Sequence, residues 1–223
     1  MAARSQRAAG SVAAPTAPFR VALTFDAEHP DRPSSGTGVE RQLEAVARLD
    51  VRATYFLQGR WVEGYPETAR RVSEGGHLVG NHSHYHARMQ FLTVPGLAHD
   101  VSRSEAVIRA ATGADPRPWF RCPFGGGATS ERVLRALAKA GYRHVGWTAS
   151  PQDWSVEATD DLSESVLAQV LRAPDDAIVL LHSWPDRTAA ALPAIVGRLR
   201  DAGADLVGVD ELATVTALPG GQE

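Results

Sequence analysis

Apolar residues in this chain occur in short runs, and segments of helical periodicity separate these runs. Seven runs have the length of buried strands: 19–25, 53–57, 78–80, 119–122, 144–148, 177–181 and 206–209. Between them, apolar positions repeat every three or four residues, which predicts helices near 39–49, 66–74, 97–111, 133–137, 162–171 and 192–199. This alternation predicts an α/β fold with a parallel sheet and helical crossovers.

Polar residues with useful chemistry follow five of the predicted strands. They are Asp26, His82, Arg121, Asp153 and His182, each at or within a few residues of the C-terminal end of a different strand. In a (β/α) barrel these ends open on one face, and the active site lies there. The pattern therefore favours a distorted (β/α) barrel of about seven parallel strands over an open, doubly wound sheet.

Composition agrees with one globular domain and argues against several classes of function. The chain has 223 residues, of which 43% are apolar, and a net charge of −3 with both signs mixed throughout. Such a charge does not indicate a nucleic-acid partner. No apolar run approaches the ~18 residues of a membrane-spanning helix, so we predict no membrane association. Cys122 is the single cysteine, which excludes an internal disulfide.

The N-terminal residues differ in composition from the rest of the chain. Residues 1–18 are rich in Ala, Ser, Arg and Pro and lack the continuous apolar stretch of a signal peptide. We predict a disordered leader over 1–18 and a single catalytic domain over 19–218. The expected location is the cytoplasm, or outside the cell if the N-terminus is trimmed.

Histidines concentrate at one point of the chain, directly after the third predicted strand. His82, His84 and His86 alternate there, and imidazole is the commonest metal ligand among side chains. If His82 and His86 lie one helical turn apart, both rings can bind one ion. If the segment is extended, all three side chains point the same way.

Five ordered motifs resemble those of the NodB-like polysaccharide deacetylases, which form carbohydrate esterase family four. They are Thr24-Phe25-Asp26, His82-Ser83-x-x-His86, Arg121-x-Pro123-Phe124, Asp153-Trp154 and Leu180-x-His182. The resemblance extends from about residue 21 to residue 212. It implies a distorted (β/α) barrel and a metal-dependent hydrolase that removes N-acetyl groups from N-acetylglucosamine units of chitin-like or peptidoglycan-like saccharides.

The resemblance also implies catalytic roles. Asp26 would be the general base, oriented by a charge-assisted bond from Arg121. His182 would be the general acid that protonates the leaving amine, and Asp153 would favour its imidazolium form. The backbone N–H of Phe124 would hold the oxyanion.

Three further residues are candidates for contacts with the substrate. Leu180 and Trp154 resemble the apolar pocket that holds the acetyl methyl group in the family. Trp184, two residues after His182, is a candidate for stacking on a sugar ring.

The predicted cofactor is one divalent metal ion. The motif uses His82 and His86, so the one-turn geometry is favoured and His84 is expected to face away. Two histidines and one carboxylate leave open positions for water and substrate, and the ion acidifies the water and polarises the amide carbonyl. Zinc is the default for these ligands, with cobalt, nickel and manganese as alternatives.

The sequence departs from the family pattern at the third ligand. Ala27 stands where the family has a metal-binding aspartate, and Glu28 is the predicted replacement because its longer side chain could reach back to the ion. His29 and His84 are weaker candidates. Two other departures are Ser150 for an aspartate and Phe124 for a tyrosine.

Two alternative functions follow from these features. The same mechanism could act on a small acylated or cyclic-amide metabolite, which the missing signal peptide favours. The protein could also be a non-catalytic barrel that binds saccharide or metal, with Ala27 as the lesion. The expected partner is accordingly an N-acetylated saccharide or a small amide.

Overall fold

The computed structural model describes residues 19–32, 35–173 and 176–216. The leader predicted over 1–18, and the end of the predicted domain at 217–218, lie outside these residues. The strands are β1 Phe19–Ala27, β2 Thr54–Leu57, β3 Leu78–Asn81, β4 Trp119–Phe120, β5 Arg143–His144, β6 Ala177–His182 and β7 Ala204–Leu206. The helices are α1 Ser35–Arg48, α2 Gly59–Gly64, α3 Pro66–Glu74, α4 Val94–Thr112, α5 Glu131–Lys139, α6 Thr159–Val170, α7 Asp186–Asp201 and α8 Ala213–Thr216.

The strands form one parallel sheet in the order β5-β4-β3-β2-β1-β6, with β7 paired to β1. Val21 pairs with both β6 and β7, whereas Thr24 pairs with both β6 and β2. Strands β7 and β2 therefore lie one after the other along the same edge of β1. Because β1 is buried from Val21 onward, most of its side chains are apolar.

The sheet curls, and a short link closes it. After β5, the Ala149 N–H donates to the Ile178 carbonyl at 3.1 Å, and the Leu180 N–H donates to the Ala149 carbonyl at 2.9 Å. Ala149 and Val179 form an isolated parallel bridge. These short contacts join the two ends of the sheet, and the predicted distorted (β/α) barrel is confirmed.

Side-chain alternation along β1 separates an apolar face from a polar one. Val21, Leu23, Phe25 and Ala27 belong to the largest core cluster, which also contains side chains of α1, α6 and α7. Asp26 is also buried but lines the cavity inside the sheet. The alternation places an acidic side chain inside a barrel whose outer face is covered by helices.

Several predicted boundaries differ from the structure. The strand expected over 144–148 is only Arg143–His144, because the following residues cross toward β6. The last strand is Ala204–Leu206, and Val209–Glu211 forms a 3-10 turn. Helices α2 and α8 were not predicted, since six and four residues are too few to show a period. None of the helices in the described ranges has the length and apolar character needed to cross a membrane.

Candidate active site

A cavity of about 400 Å³ lies at the C-terminal ends of the strands. Seven of the residues that line it belong to the five motifs. The full lining is Asp26, Glu28, His29, Arg32, His82, His86, Phe124, Trp147, Ser150, Trp154, Leu180, His182 and Trp184. The topology therefore brings residues from both halves of the chain into one pocket.

Glu28 enters this cavity because β1 continues through Ala27. Ala27 pairs with Leu57 of β2 and is fully buried in the outer core cluster. Side chains alternate along an extended chain, so Asp26 and Glu28 both face inward. Glu28 therefore reaches the histidines from the same face as Asp26 and does not bend back from the opposite face.

The carboxylate of Glu28 lies between two ring nitrogens. Its Oε2 is 3.2 Å from Nε2 of His82 and also contacts Nε2 of His86. Among the described residues, Glu28, His82 and His86 form the group whose ligand atoms all lie within 4.8 Å of one another. Nδ1 of His82 is 2.9 Å from the Arg121 carbonyl, to which it donates, so Nε2 would be the ligand atom once an ion replaces its hydrogen bond to Glu28. The donor set fits a divalent ion with open positions.

Glu28 is strongly favoured in its charged form. Burial raises the pKa of this carboxyl group, but hydrogen bonds from His29, His82 and His86 outweigh burial and hold the pKa well below its usual range. The second oxygen, Oε1, lies 3.2 Å from Nε2 of His29 and accepts the indole N–H of Trp184 at 3.2 Å. The two oxygens of one carboxylate thus have different partners.

His82 and His86 converge through a turn, and the favoured one-turn helical geometry is wrong. Residues 82–86 follow β3 without helical structure, with φ of 66° at Ser83 and 57° at His86. Positive φ is unfavourable for residues other than glycine and persists where neighbours enforce it. Here the Ser83 N–H donates to Asn81 Oδ1 at 2.9 Å, and the His86 N–H donates to Ser83 Oγ at 3.2 Å.

Helix α4 anchors the same turn. The Asp100 carboxylate, 2% exposed, accepts the N–H groups of His84 and Tyr85, both at 3.0 Å. Ser104 Oγ donates to the Ser83 carbonyl at 3.1 Å. The ring of His84 is fully buried beside Gly59 and does not line the cavity. Asp100 was not predicted, although an acidic residue three positions after Leu97 on the apolar face of a helix is a usable signal.

Arg121 is fully buried and fixes Asp26. One guanidinium nitrogen donates to Asp26 Oδ1 and to Thr24 Oγ1, both at 2.8 Å, and the others donate to the carbonyls of Val145 and Gly146. Asp26 Oδ2 lies 3.5 Å from Nε2 of His82. The ion pair neutralises two buried charges and leaves Oδ2 directed toward His82.

Asp153 and His182 form a second buried pair. Asp153 Oδ1 lies 2.8 Å from Nδ1 of His182, while Oδ2 accepts the His182 N–H at 2.8 Å and the Thr188 hydroxyl at 2.7 Å. Burial lowers the pKa of His182, but Asp153 outweighs burial, so the pKa lies above its usual value. Since Nδ1 is engaged, Nε2 is the nitrogen available to the cavity.

The candidate substrate residues surround these groups. Phe124 lies in a turn with φ of 57°, and its ring is 4.5 Å from that of His86 between centroids. Trp154 is 43% exposed, and its ring is 4.8 Å from His182 in an edge contact. Leu180 is 5% exposed and lines the cavity wall. The guanidinium of Arg32 lies 3.9 Å over the ring of Trp184.

Residues 13–145 match the family model described as "Polysaccharide deacetylase". The chain belongs to the polysaccharide deacetylase family. The resemblance carried by the five motifs is therefore confirmed.

Two curated relatives place the chain within this family. It is 32% identical over 195 residues to the peptidoglycan-N-acetylglucosamine deacetylase PgdA of Listeria monocytogenes, covering 86% of this chain and 38% of that protein. It is 31% identical over 196 residues to a chitooligosaccharide deacetylase of Sinorhizobium fredii, covering 82% of this chain and 86% of that protein. The chain spans about half or less of the length of the first relatives that it matches.

Among solved structures, a pseudoenzyme of this esterase family from Bacillus anthracis superposes with a TM-score of 0.78. The two are 28% identical, and the match covers 87% of this chain and 65% of that one. A mutant of that pseudoenzyme is described as having restored enzymatic activity, with a TM-score of 0.77, 30% identity, and coverage of 87% and 67%. The fold is thus compatible with active and inactive members of the family. Whether a chain with this fold catalyses a reaction therefore depends on its site residues.

Proposed function

We propose that this chain is a metal-dependent deacetylase that removes acetyl groups from N-acetylglucosamine units of chitin-like or peptidoglycan-like saccharides. The observation that carries this proposal is the convergence of Glu28, His82 and His86 beside two buried acid–base pairs in one cavity. The names of the relatives support the choice of an N-acetylated saccharide.

Glu28, His82 and His86 are the proposed ligands of one divalent ion, with zinc favoured by the donor set. When bound, such an ion supplies Lewis acidity toward a water molecule and a carbonyl oxygen. The remaining groups of the chain position the substrate and move protons.

Asp26 is the proposed general base. Its Oδ2 lies on the side of His82, where a nucleophilic water would stand, and Arg121 holds the carboxylate through Oδ1. The base takes one proton from this water as the oxygen attacks the amide carbon. The backbone N–H of Phe124 is the proposed donor to the oxyanion.

His182 is the proposed general acid. The Asp153 carboxylate favours the imidazolium form, which donates a proton to the amine nitrogen as the C–N bond breaks. Leu180 and Trp154 form an apolar wall that fits the acetyl methyl group. The products are acetate and a free amine on the sugar.

The decisive experiment measures acetate release. The purified chain with zinc is incubated with N-acetylchitooligosaccharides and with peptidoglycan fragments, and acetate is quantified. We expect turnover that a chelator abolishes and that Glu28→Ala reduces at least a hundredfold. No acetate release from either saccharide in the presence of zinc would contradict the proposal.

A non-catalytic role is the second candidate, and the similarity to a pseudoenzyme favours it. Ala27 would then be the lesion. The position of Glu28 opposes this reading, since it supplies a carboxylate to the two histidines. Zinc binding with no hydrolysis of saccharides or of a generic acetyl ester would favour the binding role.

A further inference from the structure

Trp184 contacts the proposed metal site through its polar atom. The indole N–H donates to Oε1 of Glu28 at 3.2 Å, and Nε2 of His29 lies 3.2 Å from the same oxygen. The other oxygen, Oε2, is directed toward His82 and His86. The hydrogen bonds to Oε1 therefore select which carboxylate oxygen faces the histidines.

Glu28 needs such support more than an aspartate would. Its side chain has one more rotatable bond than aspartate, so more conformers must be excluded before the carboxylate becomes a preorganised ligand. Hydrogen bonds that orient metal ligands commonly set the affinity of a site. A donor on Oε1 supplies that constraint without competing for Oε2.

The indole ring is itself fixed from several sides. The Arg32 guanidinium lies 3.9 Å over the ring, and the rings of His182 and His29 lie 5.8 Å and 6.2 Å away between centroids. With Arg32 on one face and the N–H engaged, the ring is less available as a platform for sugar. This arrangement favours a supporting role over the stacking role expected from its position after β6.

We propose that Trp184 is a positioning residue that orients Glu28 for metal binding. The proposal rests on the proposed function, in which Glu28 is a metal ligand. It goes further because it assigns the indole N–H, rather than the ring face, as the part of Trp184 that matters.

The test is Trp184→Phe, which keeps an aromatic face and removes the N–H. Zinc affinity of the metal-free protein is measured by competition with a chromophoric chelator. We expect zinc affinity to fall about 10–100-fold, the range typical of groups that support metal ligands. We also expect a KM for saccharide within about twofold of wild type. Trp154→Phe is the matched control, since Trp154 lines the same cavity and packs against His182, and the zinc affinity of this variant should be unchanged.

A second comparison keeps the test independent of folding. In a Glu28→Ala background, Trp184→Phe should cause no further loss of zinc affinity, because the bonded oxygen is gone. Metal-free Tm values identify any variant that is misfolded, and Trp184→Leu, which also removes the N–H, then takes the place of Trp184→Phe in the zinc titration.

The outcomes distinguish the positioning role of Trp184 from the proposed function on which it rests. Wild-type zinc affinity in Trp184→Phe, together with a raised KM in Trp184→Leu, would overturn the positioning role and support a sugar platform. A wild-type protein that binds no zinc would overturn the proposed function and this proposal with it. Zinc binding and deacetylation that Trp184→Phe leaves unchanged would overturn this proposal alone.

Discussion

The side chain at position 27 points into the outer core, and this orientation limits which residue can supply the proposed metal-binding carboxylate. Ala27 is fully buried among apolar residues, and Glu28 lies on the cavity side. The proposed ligand is therefore determined by the face of the strand on which a residue lies, and not by its distance from Asp26 alone.

We expect that an aspartate at position 27 cannot replace Glu28. In the double variant Ala27→Asp, Glu28→Ala the new carboxylate would be buried without a partner, so zinc binding should not recover beyond that of Glu28→Ala. An uncompensated buried charge costs roughly 3–5 kcal/mol in the free energy of unfolding. Chelator competition and urea unfolding at pH 7 measure both effects. Zinc affinity within tenfold of wild type would show that residue 27 faces the cavity.

The raised pKa of His182 predicts where kcat declines on the basic side of the pH–rate profile. Asp153 holds the pKa of His182 above its usual value, so the acid form persists above pH about 6.5. We expect kcat to fall as pH rises through this raised pKa. Asp153→Asn should lower kcat and move the limb to lower pH, with Asp176→Asn, remote from the cavity, as the control.

The raised pKa of His182 also makes the free energy of unfolding depend on pH, and the direction of this dependence follows from the direction of the shift. A raised pKa in the folded state stabilises the protein fully below the unfolded pKa of His182, and this contribution is lost as pH rises through the folded value. Asp153→Asn should therefore narrow the difference in unfolding free energy between pH 5.5 and pH 8.5.

In the kinetic experiment, a basic limb of the pH–rate profile that Asp153→Asn leaves in place would remove His182 from the proposed role of general acid.

At the level of secondary structure, helix α1 supports the segment that follows β6. Gln42 Nε2 donates to the His182 carbonyl at 2.8 Å. One turn earlier on the helix, a Cβ added to Gly38 would overlap the Ser183 carbonyl oxygen. The close approach of α1 to this backbone requires glycine at position 38.

We expect Gly38→Ala to displace the segment that carries His182 and Trp184. Overpacking of this kind costs about 1–3 kcal/mol in unfolding free energy, and kcat should fall because His182, the proposed general acid, moves. Gly197→Ala in α7 is the matched control, since no atom lies within 4 Å of an added Cβ. That control should be neutral or more stable by up to about 1 kcal/mol. Equal urea midpoints for the two variants would contradict the close-packing argument.

The sequence predicted the central strands correctly but not the bounds of β5 or the presence of α2, for physical reasons. Long runs such as 19–25 and 177–181 predicted the central strands, because strands buried on both faces are mostly apolar. Strand β5 has two residues and then crosses the barrel, so its apolar continuation at 145–148 resembled a longer strand. Helix α2 is too short to show a period.

The site could be predicted in part. The inward position of Glu28 follows from strand alternation once β1 is extended to Ala27, and the sequence shows Asp26 and Glu28 two residues apart. The turn at His82–His86 could not be predicted, because it depends on hydrogen bonds from Asn81, Ser83 and α4. The bond from Trp184 to Glu28 joins residues 156 positions apart and leaves no local signal.

At the scale of the whole molecule, strand pairing in the sheet brings the cavity residues together and does not depend on the proposed metal ion. Asp26 and His182 are register partners in adjacent strands, although they are far apart in sequence. The core clusters are apolar and contain none of the three proposed ligands. The barrel should therefore fold without zinc, and zinc should add stability to a structure that already exists.

This separation predicts the size of the response to metal. At a free zinc concentration 100 times Kd, binding stabilises the folded state by about 2.7 kcal/mol. For a domain of this size, each kcal/mol shifts Tm by about 2–4 °C, so chelation should lower Tm by roughly 5–10 °C while unfolding stays cooperative. Scanning calorimetry with zinc, with chelator and with magnesium measures the shift in Tm. Magnesium should give only a small shift, since it prefers oxygen ligands.

Glu28→Ala should lose most of the zinc-dependent shift and keep a cooperative metal-free transition. A metal-free protein without such a transition would mean that the metal organises the barrel, and an equal zinc shift in Glu28→Ala would move the binding site away from Glu28.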